Sequence, residues 1–128
     1  MNYWRSLVLK GKKHGIGFRH ALDGILQVMK SERNFRIHLV FIGIVMVAGI
    51  VLSLNRLEWV TILVVIGLVL TAEMCNTAIE KIIDYVKPDI HPSAKAIKDI
   101  AAGSVLIAAF ISVIVGFLIF LPKLWKFF

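Results

Sequence analysis

A single cysteine, Cys75, rules out an intrachain disulfide, and no cysteine or histidine pair stands at the spacing a zinc site needs. The Gly-x-x-x-x-Gly-Lys-Ser/Thr and Gly-x-Gly-x-x-Gly loops that cradle nucleotide phosphates are also absent, so any nucleotide chemistry must rest on another design. Acidic side chains are few, eight against fifteen Lys and Arg, leaving a net charge of +7. No repeat period and no low-complexity segment appears, which excludes a solenoid and a disordered tail. What fills the chain instead is apolar: 59% of its 128 residues are hydrophobic, and the mean hydropathy is +0.84. A soluble domain is nearer half apolar. The composition predicts an all-α integral membrane protein, one domain over 1–128 with room for three spans of about 20 residues.

The excess of positive charge lies in the first third, at Arg5, Lys10, Lys12, Lys13, Arg19, Lys30, Arg33 and Arg36. Beside apolar spans, such an arm is expected on anionic headgroups rather than on nucleic acid. No signal peptide is expected, because the first long apolar run begins only at Ile37. Residues 18–30 divide on a helical wheel into an apolar half (Phe18, Ala21, Leu22, Ile25, Leu26, Val28, Met29) and a polar half (Arg19, His20, Asp23, Gln27, Lys30). The segment 14–30 is therefore predicted as an amphipathic helix on the membrane surface. Ser31 is the expected cap of the next helix, with Asn34 at its third position.

Apolar spans are predicted at about 37–54, 58–79 and 100–121. Asn55-Arg56-Leu57-Glu58 closes the first, and Trp59 marks an interface. The second continues as a helix to Val86 and is stopped by Pro88; Ser93 is the expected cap of the third. Lys123, Trp125 and Lys126 anchor its far end. Lys81, Lys87, Lys95 and Lys98 around the second loop, against Arg56 alone in the first, place the N-terminus and second loop in the cytoplasm by the positive-inside rule. Ser104, Ala108, Ser112 and Gly116 make a small-residue stripe on the third span, which predicts a homo-oligomer.

Carboxylates interrupt the second span. At 100° per residue, Glu73, Glu80 and Asp84 fall within about 40° of one another, flanked by Asn76 and Thr77. Counted from Trp59, Glu73 lies about 21 Å along the helix and Glu80 about 31 Å, against a hydrocarbon core about 30 Å thick. Glu73 is expected at the depth of a lipid's polar end, and Glu80 at the water boundary near Glu32, His91, Lys98 and Asp99. A carboxylate withdrawn from water is a better proton acceptor than a surface one. Carboxylates at the boundary suit Mg²⁺, which keeps several waters and takes phosphate oxygens as further ligands, while lysine supplies a point charge for the phosphates. Together these parts predict phosphoryl transfer from a nucleotide to a lipid hydroxyl. A proton-coupled transporter with Glu73 as carrier is the alternative from another class, and a structural membrane subunit a third. A transporter has no evident use for the cluster at the water boundary. By itself Glu32 reads as an i, i+4 partner of Arg36, and His38 and His91 read as interface or loop histidines.

The run Glu73-x-x-Asn76-Thr77-Ala78-Ile79-Glu80, the spacing to Asp84, and Lys98-Asp99-x-Ala101-Ala102-Gly103-Ser104-Val105 resemble the small prokaryotic diacylglycerol kinase family. Ser31-Glu32-Arg33-Asn34-Phe35-Arg36-Ile37-His38 resembles its Gram-positive branch, whose members include undecaprenol kinases, and the resemblance runs over about 14–120. It implies a homotrimer in the bacterial plasma membrane, each chain with a surface helix and three spans, with sites shared between neighbours. It also implies Glu73 as general base with Asn76 as its support, and Glu32 and Glu80 as ligands of the Mg²⁺ that accompanies ATP. His91, Lys98 and Asp99 become nucleotide contacts, with Lys13 and His20 approaching from the N-terminal arm. The reading of Glu32 as a mere partner of Arg36 is thereby reversed. The Asp89-Ile90-His91-Pro92-Ser93 loop departs from the Gram-negative pattern. The implied acceptor is undecaprenol, with diacylglycerol as the alternative.

Overall fold

The computed structural model describes residues 16–86 and 91–128, so expectations resting on Lys13 and on Pro88 lie outside the described residues. Four helices follow one another: α1 (Ile16–Ser31), α2 (Arg33–Val51), α3 (Arg56–Val86) and α4 (Pro92–Phe127). The chain divides into two units, Met1–Arg33 and Asn34–Phe128, each described by itself.

In the N-terminal unit, α1 leaves Phe18, Leu22, Ile25 and Leu26 exposed. Ser31 does not cap a new helix. It is the last residue of α1, only Glu32 separates α1 from α2, and the Glu32 N–H donates to the Val28 carbonyl at 2.8 Å. The bond completes the last turn of α1 past Ser31, so Glu32, not Ser31, stands immediately before α2.

The second unit holds three helices of 19, 31 and 36 residues that are long and apolar enough to cross a membrane. α2 and α3 form an antiparallel hairpin. Ser53 supplies the reversal with φ 56°, and the Leu54 N–H donates to the Gly49 carbonyl at 3.1 Å. Asn55 and Glu58 then cap α3 reciprocally: the Glu58 N–H donates to Asn55 Oδ1 at 2.9 Å, and the Asn55 N–H to Glu58 Oε1 at 3.1 Å. Lys123 Nζ, near the end of α4, reaches the same Glu58 oxygen at 3.0 Å and ties α4 to this turn end.

The closest helix pair is α3 with α4. Ile62, Val69, Glu73 and Thr77 are buried on α3, and Ala94, Ala101 and Ala108 on α4. The strict seven-residue spacing of the alanines is the period of a near-antiparallel seam, and their size lets the helices approach. The small-residue stripe meets this seam at Ala108. Ala108 is buried but Ser104 is exposed, and the Ser104 and Ser112 hydroxyls donate to the carbonyls of Ala101 and Ala109 in their own helix, both at 2.6 Å.

As expected, α3 runs through to Val86. α4 starts two residues earlier than a Ser93 cap would place it. His91 is the N-cap, its Nδ1 accepting from the Ser93 N–H at 3.1 Å, with Pro92 at the first helical position. Proline is suited to that position because its missing N–H would find no partner there, and Ser93 becomes the donor rather than the cap. At 1.5 Å per residue, α3 and α4 are about 46 and 54 Å long, well beyond a core of about 30 Å, so their polar ends project from it.

Gly49 marks where α2 meets α3: a Cβ there would lie 2.7 Å from the Trp59 ring and 2.9 Å from Leu54. Gly49→Val is expected to cost about 1–3 kcal/mol by overpacking. Reversible unfolding in mixed micelles checks this, and adding Trp59→Phe, which shortens the opposing ring, should recover part of the loss.

Candidate functional site

The hairpin brings the loop-end half of α2 against that of α3, and there His38 Nε2 lies 2.8 Å from Glu73 Oε1. The two side chains are 27% and 8% exposed, so the carboxylate is enclosed while the imidazole keeps one edge open. A carboxylate this deep in apolar surroundings is costly unless it has a polar partner, and His38 stands within reach of it. Thr77, one turn further along, is buried on the same face.

Asn76 faces the next carboxylate. Its Nδ2 donates to Glu80 Oε1 over a long 3.5 Å, and its Oδ1 is buried with no hydrogen-bond partner. Beyond Glu80 the loop ends of α3 and α4 are joined by Lys98 Nζ on Asp84 Oδ1 at 2.5 Å. Asp99 instead pairs with Lys95 at 2.6 Å, one helical turn away on α4. Adjacent in sequence, Lys98 and Asp99 diverge by about 100° around the helix and serve different partners. His91 is exposed at the start of α4.

One face of the second unit therefore gathers Glu73, Asn76 and Glu80 in order along α3, with Asp84 and Lys98 at its loop end. Glu32 and His20 belong to the N-terminal unit, and Cys75 is exposed. Among the described residues no group of three or more His, Cys, Asp and Glu could hold a metal ion. Mg²⁺ does not require one, since it binds through one or two carboxylates and completes its shell with water and phosphate oxygens. Glu80 beside the unpartnered Asn76 Oδ1 is an all-oxygen donor pair, and it fits that ion rather than zinc or copper.

Toward the turn end from Glu73, a cavity of about 150 Å³ opens between α2, α3 and α4, with Phe41, Val45, Ile62, Val69 and Phe120 in its walls. A groove of about 560 Å³ between α2 and α4 adjoins it. His38 lines both, and it is the one ionisable side chain in either lining.

His38 is the residue that reading the sequence missed. Its signal was the hairpin register: residues 38 and 73 lie at similar separations from a turn near 53–55, so antiparallel packing sets the histidine opposite the glutamate. A buried carboxylate calls for such a partner.

Residues 19–120 match the family described as Prokaryotic diacylglycerol kinase. The chain is 45% identical over 107 residues to the undecaprenol kinase of Bacillus subtilis (strain 168), covering 84% of this chain and 87% of that one. It is 40% identical over 111 residues to a diacylglycerol kinase of Synechocystis sp., covering 85% of this chain and 63% of the relative. With the diacylglycerol kinase of Helicobacter pylori (strain J99) the identity is 30% over 88 residues, 69% of each chain.

Asp84 is exposed and its pairing with Lys98 is open to solvent. Asp84→Asn should therefore change the unfolding free energy by less than about 1 kcal/mol, measured by denaturation in micelles.

Proposed function

The chain belongs to the prokaryotic diacylglycerol kinase family, and from that membership we propose that it is an undecaprenol kinase, moving the γ-phosphoryl group of ATP onto the hydroxyl of undecaprenol. The observation that carries the site is Glu73: a carboxylate buried in the second of three spans and held by His38 at 2.8 Å. The undecaprenol assignment rests on the 45% identity to a protein of that name. Diacylglycerol as acceptor is the second reading, favoured by the names of the 40% and 30% identical relatives. A transporter using Glu73 as proton carrier is set aside on family membership.

In this reading Glu73 takes the proton of the lipid hydroxyl as its oxygen forms a bond to the γ-phosphorus, and the bond from that phosphorus to the ADP oxygen breaks. Glu80 and Glu32 would hold the Mg²⁺ that accompanies ATP, and the ion would supply charge neutralisation for the phosphates. Asn76 orients Glu80 through its amide and offers its buried oxygen to the same site. Lys98 exchanges Asp84 for phosphate oxygens, while Asp99, His91, His20 and Lys13 approach the rest of the nucleotide. Catalysis is chiefly positioning and electrostatics, consistent with the absence of any glycine-rich cradle.

The whole of 1–128 acts as one membrane-embedded kinase domain. The exposed apolar half of α1 supports a helix lying on the membrane surface. The small-residue stripe of α4, with Ser104 exposed on it, and the family membership support a homotrimer in which neighbours complete each site. The basic residues around the second loop support a cytoplasmic active site in the bacterial plasma membrane.

The purified protein, given ATP labelled at the γ-phosphate and Mg²⁺, should label undecaprenol faster than diacylglycerol in parallel micelle assays; the reverse order would transfer the assignment to diacylglycerol. Glu73→Gln should lower kcat by about 10²–10⁴-fold with nucleotide binding nearly intact. Glu80→Gln and Glu32→Gln should instead weaken Mg²⁺-dependent ATP binding in equilibrium titrations, and unchanged titrations would remove their metal role.

A further inference from the structure

We propose that His38 is a positioning residue for the phosphoryl transfer: its Nε2–H holds one oxygen of the Glu73 carboxylate and leaves the other aimed at the lipid hydroxyl. The inference rests on the reading of Glu73 as general base. Glu73 is enclosed, and among the described residues its side-chain partner is His38, at 2.8 Å. Asn76, the side chain expected to support the base, donates to Glu80 instead. The task of fixing the Glu73 carboxylate therefore falls on α2.

The residue type suits the task. A glutamate has three side-chain torsions, and a base must be held near its attack geometry, since a misplacement of about 1 Å can cost about a hundredfold in rate. A lysine or arginine at this place would bind the carboxylate as a full ion pair and make it a poorer proton acceptor. A neutral imidazole donates a single hydrogen bond and leaves the second carboxylate oxygen uncommitted. His38 also lines the apolar cavity and groove between the helices, so the carboxylate it holds stands next to the surface where an acceptor's chain would meet protein. During transfer the hydroxyl proton passes to the free oxygen of Glu73, the lipid oxygen bonds to the γ-phosphorus, and ADP departs with the electrons of the broken bond. His38 donates throughout and neither gains nor loses a proton.

The test compares kcat and KM across substitutions in the full-length protein in mixed micelles with ATP, Mg²⁺ and undecaprenol. His38→Phe, which lacks the donor, is expected to lower kcat about ten- to a hundredfold with KM for ATP unchanged. His38→Ala, which cannot overfill the site, should lose as much. His38→Gln places an amide N–H at similar reach and should keep most of kcat. Undiminished kcat in both Phe and Ala variants overturns the proposal, as does a Gln variant as slow as the Phe variant, or a loss that falls wholly in KM for ATP. Glu73→Gln is run alongside: full turnover there defeats the base reading itself, whereas a dead Glu73→Gln beside a normal His38→Phe defeats only the role given to His38.

Discussion

A carboxylate enclosed in an apolar helix must be compensated, and the His38 imidazole, with Nε2 2.8 Å from Glu73 Oε1, meets that constraint. The rest of the architecture can be read from it. The hairpin must be antiparallel and tight enough to set residue 38 against residue 73, which explains the close approach at Gly49 and the left-handed Ser53 in the turn. α3 must also stay rigid from the turn to its loop end, because Glu73, Asn76 and Glu80 hold their order only on one unbroken helix. The alanine seam of α4 supplies that rigidity, and the Lys123 contact with Glu58 fixes its register at the turn end.

Within this frame the acidic face divides by depth. Glu73 is buried and answers to α2, whereas Glu80 is half-buried and answers to Asn76 on its own helix. Seven residues separate them, about 10 Å along the axis. In the proposed reaction a lipid hydroxyl at one carboxylate and a metal-bound phosphate at the other would span that distance with side-chain length and the reacting phosphoryl group itself. Ordering the polar groups along a single helix lets an apolar and a water-soluble substrate meet without either leaving its own phase.

The spans and the continuation of α3 to Val86 were legible because long apolar runs and helical periodicity are local properties of a sequence. So were the carboxylates that mark the site, since acidic residues in hydrocarbon stand out from composition alone. The misses share a different cause. Ser31 and Ser93 carry the chemistry of helix caps, but α1 runs through Ser31, and His91 caps α4 with Pro92 at its first position. The seven-residue run of buried alanines on α4 went unread, because packing on α3 sets it. His38 was passed over for the same reason: no local pattern states which residue of a neighbouring helix it will face. Family membership adds the reaction class, which no periodicity carries.

The cap on α4 bears on how the loop end meets an anion. Because His91 Nδ1 accepts the Ser93 N–H, the neutral ring must carry its hydrogen on Nε2. The tautomer is thus chosen by the fold before any ligand arrives. The exposed edge of the imidazole offers a donor rather than a lone pair, beside the electropositive start of a 36-residue helix. A histidine that would otherwise divide its time between two forms is held in the one that greets negative charge.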